Sequence, residues 1–108
     1  MTGTPTLLIY ATYRLQPDDV EVFRSLASRM AAAAKARDGC VFLDAAQDIG
    51  DPATFRLVEG WRDQTAFDAH NATNEFQAVL KEAATLSIVD RSADIYSVSG
   101  KRTLDVPS

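Results

Sequence analysis

Apolar and polar residues alternate along this chain with two different periods, and the changes of period divide it into elements. Residues 6–15 are rich in β-branched and aromatic side chains and predict a first strand. Apolar side chains occupy its odd and its even positions alike, so we expect both faces of this strand to be covered. Residues 54–61 repeat that two-sided pattern, and strand-like composition also marks 40–47 and 92–98. The pattern therefore predicts four strands.

A helical period replaces the strand period between the first and second strands. After Pro17, which cannot continue a strand ladder, apolar residues recur three and four positions apart. Asp18 or Asp19 can cap a helix that begins there, and Gly39 is a typical stop. These signals predict a helix of about 20 residues.

Two shorter helices are predicted after the third strand. They span 64–71 and 74–84, and each begins next to a side chain that can cap its free N–H groups, Asp63 and Thr73 respectively. Residues 85–91 show no clear period, so we expect a loop or a frayed helix end there.

The resulting order is β-α-β-β-α-β, the split arrangement of the ferredoxin-like α+β class. In that class an antiparallel sheet carries its helices on one face. The strand pattern makes the opposite face apolar as well, and an uncovered apolar face usually marks an interface. We therefore expect a homodimer in which two sheets meet face to face about a twofold axis.

A chain of 108 residues is long enough for one domain with a core that needs neither disulfides nor a metal. We assign that domain to residues 6–98. Residues 1–5 are expected to be frayed, and residues 99–108 are expected to form a polar tail.

Net charge and cysteine content exclude several classes of function. A net charge of −4 leaves no basic surface for nucleic acid or for an anionic membrane. The sequence shows no secretory leader and no apolar stretch long enough to span a bilayer. A single cysteine rules out an internal disulfide framework and fits a reducing compartment, so we expect a cytoplasmic protein.

The chain also lacks the sequence motifs of common cofactors. It has no glycine-rich phosphate loop, no C-x-x-C pair and no carboxylate–histidine cluster at metal spacing. One cysteine and one histidine, far apart, do not suffice for a structural zinc site. We therefore expect no flavin, nicotinamide or metal cofactor.

Two residue types that occur once each, Trp61 and His70, flank the junction between the third strand and the helix that follows. His70 can act as a base near neutral pH, or it can be a packed histidine bonded to a backbone carbonyl. Trp61 can wall a pocket and donate its N–H, or it can anchor the core. Both alternatives stay open for each residue.

Other polar residues near this junction are weaker candidates. Glu59 shares a strand face with Trp61, and we expect it to pair across the dimer. Tyr10 and Tyr13 lie on opposite faces of the first strand, so one should face the helices and the other the partner sheet. Asn74 follows the break between the two short helices, where an amide is either a cap or a ligand for substrate.

The residues at this junction resemble a family signature. Three segments of this chain resemble the signature of the antibiotic biosynthesis monooxygenase (ABM) domain family. They are Leu57-Val58-Glu59-Gly60-Trp61, then Phe67-Asp68-Ala69-His70, then Thr73. The small-residue entry to the second strand in that family resembles Asp38-Gly39-Cys40. The resemblance covers residues 6–98 and implies a dimeric α+β barrel, in agreement with the dimer expected from the strands.

Members of that family include small monooxygenases that oxidise quinols or anthrones with O2 and without metal or flavin. The resemblance implies that this chain, as a homodimer, acts with O2 on a small quinol, anthrone or polyketide-like aromatic. The implied roles are base or proton shuttle for His70, hydrogen-bond donors to the developing oxyanion for Trp61, Tyr13 and Asn74, and pocket walls for Phe67 and Phe76.

Two alternatives stand beside the monooxygenase, because a fold does not decide a function. The first is a dimeric module that binds a small hydrophobic metabolite, or serves a stress response, without catalysis. The second is another reaction on the same fold, such as isomerisation, cyclisation or haem breakdown. The haem-degrading branch resembles this chain less, because it needs an Asn in place of Tyr13, a Trp in place of His70 and a haem-ligand His near Leu80.

Overall fold

Strands and helices follow one another in the order β-α-β-β-α-α-β across residues 3–105 and 107, which the computed structural model describes. The strands are β1 (Leu7–Leu15), β2 (Cys40–Gln47), β3 (Thr54–Trp61) and β4 (Ile88–Ser97). The helices are α1 (Val20–Lys35), α2 (Gln64–Asn71) and α3 (Asn74–Ala83), and a 3₁₀ turn at Pro17–Asp19 leads into α1. This architecture confirms the predicted ferredoxin-like α+β class.

The sheet is antiparallel, and its strand order is β2-β3-β1-β4. In the central pair, Leu7 lies opposite Trp61 and Ile9 lies opposite Glu59. Because directly opposed side chains share a face of the sheet, the odd-numbered positions of β1 and β3 point the same way. These positions include buried residues such as Ile9 and Trp61, so they form the side that the helices cover.

Two clusters of buried side chains fill the layer between the sheet and the helices. The larger cluster lies under α1 and α3 and contains Ala11, Leu15, Phe23, Leu26, Ala27, Met30, Phe55, Leu57 and Val79. The smaller cluster joins the end of β3 to α1 and α2 and contains Ile9, Ala34, Leu43, Trp61 and Ala66. The predicted functional junction therefore lies within the smaller cluster.

The two short helices begin at the caps that the sequence predicts. Asp63 Oδ1 accepts the N–H of Ala66 at 2.8 Å, and Thr73 Oγ1 accepts the N–H of Phe76 at 3.2 Å. Each bond satisfies one of the free N–H groups at a helix start. Both caps are confirmed.

The start of α1 differs from the prediction. Asp19 occupies the position before the helix, but its side chain makes no cap hydrogen bond. Its carboxylate instead accepts the N–H of Ser87 at 2.7 Å. Asp19 therefore ties the start of α1 to the segment that leads into β4.

The last strand begins at Ile88, four residues before the predicted start, so the loop predicted at 85–91 is wrong in its second half. Ile88 pairs with Leu15 and Asp90 pairs with Arg14, with a bulge between them. This part of the strand contains charged residues, so its sequence lacks the apolar pattern that predicts a strand. An edge strand accepts such residues because its side chains are exposed.

Gly39 lies in the turn between α1 and β2, in the conformation that favours glycine, with φ of +86°. A Cβ at this position would lie 2.4 Å from the Cβ of Ala66. Helix α1 ends at Lys35, before the predicted stop at Gly39. Gly39 instead belongs to the turn that leads into β2, where its missing side chain lets α2 approach.

The sheet face opposite the helices, here called the open sheet face, carries a patch of partly exposed apolar side chains. The patch crosses all four strands and consists of Leu8, Tyr10, Phe42, Val58 and Tyr96. The ring of Phe42 covers Gly60, where a Cβ would approach it to 2.4 Å. As predicted, Tyr10 and Tyr13 lie on opposite faces, with Tyr13 towards the helices.

The predicted frayed start and polar tail fall partly outside the described residues, namely at Met1, Thr2, Val106 and Ser108. Nearer the domain, Pro5 is buried, and the N–H of Thr6 donates to the carbonyl of Trp61 at 3.0 Å. Residues 99–105 are exposed and form neither helix nor strand.

Candidate functional site

The end of β3 places two polar side chains in the layer under the helices. Glu59 and Trp61 lie two residues apart on the helix-facing side of the strand. The Nε1–H of Trp61 donates to Glu59 Oε1 at 2.9 Å. Trp61 is 0% exposed and Glu59 is 8% exposed, so this hydrogen bond holds the indole in place inside the protein.

The position of Glu59 corrects the sequence analysis. Because Glu59 faces the helices, it does not point to the open sheet face, and the predicted pairing across the dimer is wrong. Trp61 supplies the hydrogen bond that a buried carboxyl group requires. Burial raises the pKa of the Glu59 carboxyl, and the N–H of Trp61 opposes this rise.

Helix α2 carries His70 back onto the indole of Trp61. The cap at Asp63 starts α2 two residues after β3 ends, so little free chain separates the two elements. The imidazole of His70 stacks on Trp61 with ring centroids 5.0 Å apart and an interplanar angle of 28°. Phe76 of α3 contacts the same imidazole at 4.9 Å, and Phe67 packs on Trp61 at 5.9 Å.

The His70 side chain is 2% exposed, yet neither Nδ1 nor Nε2 has a hydrogen-bond partner among the residues that the structure describes. It is therefore not the carbonyl-bonded histidine that the sequence left open. Burial lowers the pKa of His70, the charge of Arg37 lowers it further, and the carboxylate of Glu75 opposes both. The ring is neutral at pH 7 and has a lone pair that can accept a proton.

The remaining predicted site residues lie outside this stack of rings. Tyr13 borders the larger cluster, where its ring lies 5.2 Å from that of Phe23, and burial raises the pKa of its phenol. Asn74 is exposed at the first position of α3. The structure thus brings Trp61, Phe67, His70 and Phe76 into one set of contacts and leaves Asn74 at the surface.

An open pocket of about 360 Å³, here called the His70 pocket, lies between α2 and the turn after α1. Its lining residues are Arg37, Asp38, Arg62, Thr65, Ala66, Ala69, His70 and Thr73. Arg37 donates to Glu75 at 2.5 Å, and Arg62 donates to Asp38 at 3.1 Å. The sequence analysis missed Arg37, because it precedes His70 by 33 positions and no local signal sets it apart from other cations near a helix end.

A larger groove of about 530 Å³ runs between α1 and β2. Small and polar side chains line it, among them Ser28, Ala31, Ala45 and Gln47. None of the predicted site residues contributes to its walls. The larger groove and the predicted site residues therefore lie in different parts of the fold.

Residues 3–105 and 107 contain neither a candidate metal-binding cluster nor a candidate membrane-spanning helix. No group of three His, Cys, Asp or Glu side chains in that part of the chain lies close enough to hold a metal ion. No helix there has the length and apolar character needed to cross a bilayer. Cys40 packs against the smaller cluster, and burial raises the pKa of its thiol, which makes it a poor nucleophile.

Fold and site together define a ferredoxin-like α+β protein with a buried Trp–His stack where β3 meets α2. Residues 6–82 match the family model described as antibiotic biosynthesis monooxygenase. The chain belongs to that family, and the resemblance noted in the sequence is confirmed.

Individual relatives agree with this assignment. The chain is similar to the Bacillus subtilis protein named "Putative monooxygenase YcnE", with 28% identity over 80 residues, 74% of this chain and 84% of that protein. It resembles the crystal structure of PA3566 from Pseudomonas aeruginosa with a TM-score of 0.80 and 26% identity, over 93% of this chain and 99% of that one. Rv0793 from Mycobacterium tuberculosis shares the fold, with a TM-score of 0.82 and 18% identity over 90% of this chain and 98% of its own.

Proposed function

We propose that this protein is a monooxygenase that uses O2 without a cofactor to oxidise a small aromatic of the quinol, anthrone or polyketide-like type. One observation supports this most strongly. In a member of the ABM family, a buried neutral imidazole with two unbonded nitrogens stacks on Trp61 and contacts Phe76. Leaving a buried polar atom unpaired costs about 1–3 kcal/mol, and a catalytic role is one of the reasons for which proteins keep such atoms.

For an anthrone-type substrate, the proposed reaction begins when His70 accepts a proton from the activated CH2 group. The electron-rich anion passes one electron to O2, and the substrate radical and superoxide then combine to form a C–O bond. His70 returns its proton to the terminal oxygen and gives a hydroperoxide. Loss of water breaks the O–O bond and a C–H bond, so that CH2 and O2 become C=O and H2O.

The aromatic side chains around His70 suit an electron-rich, planar substrate. Phe67 and Phe76 provide apolar walls that exclude water from the anion. The N–H of Trp61 is already donated to Glu59, so its stack on His70 is the role that the geometry favours over donation to the oxyanion. Tyr13 and Asn74 remain predicted hydrogen-bond donors to the oxyanion, and a bound substrate would have to extend to them.

We further propose that two copies form a twofold homodimer through the open sheet face. Five partly exposed apolar side chains form one patch across all four strands of that face. A monomer would leave this patch in water, whereas a self-complementary contact buries it in both copies.

A ligand-binding module without catalysis is the second candidate. The observation that favours it is the burial of His70, because a substrate meets the imidazole only after neighbouring side chains move. On this alternative an aromatic molecule binds, but no O2 is consumed.

Oxygen uptake with an anthrone-type substrate separates the two candidates. A monooxygenase consumes one O2 for each carbonyl formed, and His70→Ala slows it by about 10²–10⁴-fold. Arg24→Gln, which alters an exposed arginine on α1, serves as the control and retains the wild-type rate. Binding of the aromatic with no oxygen uptake above that of buffer would support the module instead.

A further inference from the structure

Among the residues that the structure describes, the buried side-chain nitrogen and oxygen atoms without a hydrogen-bond partner all belong to two residues of the His70 pocket. They are Nε of Arg37 and the two ring nitrogens of His70. Both residues line the His70 pocket, which opens to solvent beside the hydroxyl-bearing Thr65 and Thr73. Two buried donors without acceptors beside one cavity can be satisfied by a ligand that carries oxygen atoms, once the side chains that cover them move aside.

We propose that the His70 pocket binds the carboxylate group of a small organic acid, with one oxygen accepting the Nε–H of Arg37 and the other a ring N–H of His70. A carboxylate offers two acceptor oxygens in one plane, which matches two separate N–H donors. Hydrogen bonds between a guanidinium and a carboxylate are among the strong ones in proteins.

Arg37 has a donor to spare for such a ligand. Its Nη2 donates to Glu75, while Nε is buried without a partner. The Arg37 side chain is 33% exposed, so most of it is held within the fold. Arg62 differs, because its Nε and Nη1 both donate to carboxylates.

The charged side chains around the pocket are more negative than positive, so they oppose any negative charge on the ligand beyond the one that Arg37 and a protonated His70 offset. The charged groups are the positive Arg37 and Arg62 and the negative Asp38, Asp63 and Glu75, each paired within this set. Glu59 is bonded to the indole that stacks on His70 and adds a further acidic group nearby. A dianion such as phosphate meets more repulsion here than a carboxylate, whose charge is offset when His70 takes up a proton.

Nuclear magnetic resonance of the single imidazole tests the proposal directly, with benzoate as the acid and benzyl alcohol as its neutral counterpart. Benzoate is expected to shift the ring signals of His70 in a saturable way and to raise the pKa of the ring. The fluorescence of Trp61, on which the imidazole stacks, should change with the same midpoint. Benzyl alcohol should leave the pKa of His70 unchanged.

Two substitutions at Arg37 separate hydrogen bonding from charge. Arg37→Gln should weaken benzoate binding by roughly tenfold or more, and Arg37→Lys should also weaken it because lysine lacks the Nε–H. Arg24→Gln, remote from the pocket, should bind benzoate as the wild type does.

Equal affinity of the wild type and both Arg37 variants for benzoate would overturn the proposal, and so would equal responses to benzoate and benzyl alcohol. Tighter binding of inorganic phosphate than of benzoate would overturn the choice of a carboxylate. These titrations contain no oxidisable substrate. Failure of the proposed monooxygenase reaction would therefore leave their outcome unaffected, and the reverse also holds.

Discussion

The fold favours the neutral form of His70, whereas the proposed reaction requires His70 to take up a proton. Its neutral form suits the stack with Trp61 and Phe76, whereas protonation would place a charge in that stack and near Arg37. The pKa of His70 is lower in the folded protein than in the unfolded chain. As the pH falls, the unfolded chain therefore binds the proton first, and folding loses stability.

The first prediction concerns this pH dependence. The stability that neutral His70 contributes should be fully present above about pH 6.5, the usual pKa of histidine, and should fall as the pH drops below it. His70→Gln removes the titrating group and should flatten the stability curve between about pH 7 and pH 5. Thermal unfolding followed by circular dichroism at stepped pH measures both curves. Parallel curves for the two proteins would contradict the assignment.

Glu59 should show the opposite dependence on pH, because burial raises the pKa of its carboxyl group in the folded state. Its contribution to stability is present below the unfolded pKa of about 4.3 and is lost as the pH rises through the folded pKa. Glu59→Gln keeps an oxygen that accepts the N–H of Trp61 but removes the charge. Urea unfolding should find this variant more stable than the wild type at pH 7, with the difference much reduced at pH 4. If Glu59→Gln were less stable than the wild type at pH 7, the prediction would be wrong, because the fold would then stabilise the charged carboxylate of Glu59.

At the scale of elements, the break between α2 and α3 sets how His70 meets Phe76. The hydroxyl of Thr73 donates to the carbonyl of His70 at 2.8 Å and accepts the N–H of Phe76 at 3.2 Å. One side chain therefore joins the last turn of α2 to the first turn of α3. The relative position of the imidazole and the Phe76 ring depends on this link.

Thr73→Ala should destabilise the protein by about 1 kcal/mol, the usual loss for an N-cap. Thr73→Ser keeps the hydroxyl and should retain most of the stability. Denaturant unfolding compares the three proteins, and Trp61 fluorescence reports whether the stacked ring has moved. Alanine and serine variants of equal stability would show that the hydroxyl link is unimportant.

The predictable part of the fold consists of elements that a single residue or its near neighbours in the sequence determine. Gly39 marks a turn through its backbone preference, whereas Asp63 and Thr73 mark helix starts through side-chain oxygens that accept backbone N–H groups. The first half of β4 was missed because its charged residues form a strand only by pairing with β1. Asp19 looked like a helix cap, but a backbone N–H from residue 87 competes for its carboxylate.

For the candidate site, the sequence predicted which residues lie near one another but not the contacts between them. Strand parity placed Glu59 and Trp61 on one face, and helical spacing carried His70 towards them. The bond between Glu59 and Trp61, and the approach of Arg37 to His70, depend on tertiary packing and side-chain rotamers. Sequence periodicity carries no information about either, so the role expected for Glu59 was wrong and Arg37 was overlooked.

At the scale of the whole molecule, the prediction concerns the open sheet face and the proposed dimer. Val58 lies near the centre of its apolar patch, on one of the two inner strands. We expect light scattering to give about twice the 11.8 kDa of one chain. Val58→Glu should produce monomers, because it places a charge in the buried contact. Ser28→Glu on the exposed side of α1 is the matched control and should remain dimeric. A wild-type mass of one chain would contradict the proposed dimer.

The proton transfer to His70 is the central claim, and mixing the protein with 1,8-dihydroxyanthrone under argon tests it most directly. Without O2 the reaction should stop after the first step, so the absorbance of the anthrone anion reports the transfer itself. The wild type is expected to produce the anion band at a pH where free anthrone stays neutral, and admitting O2 should discharge it. His70→Gln should bind the anthrone without forming the band. An anion band of equal size in the His70→Gln variant, or no band in the wild type despite binding, would contradict the account.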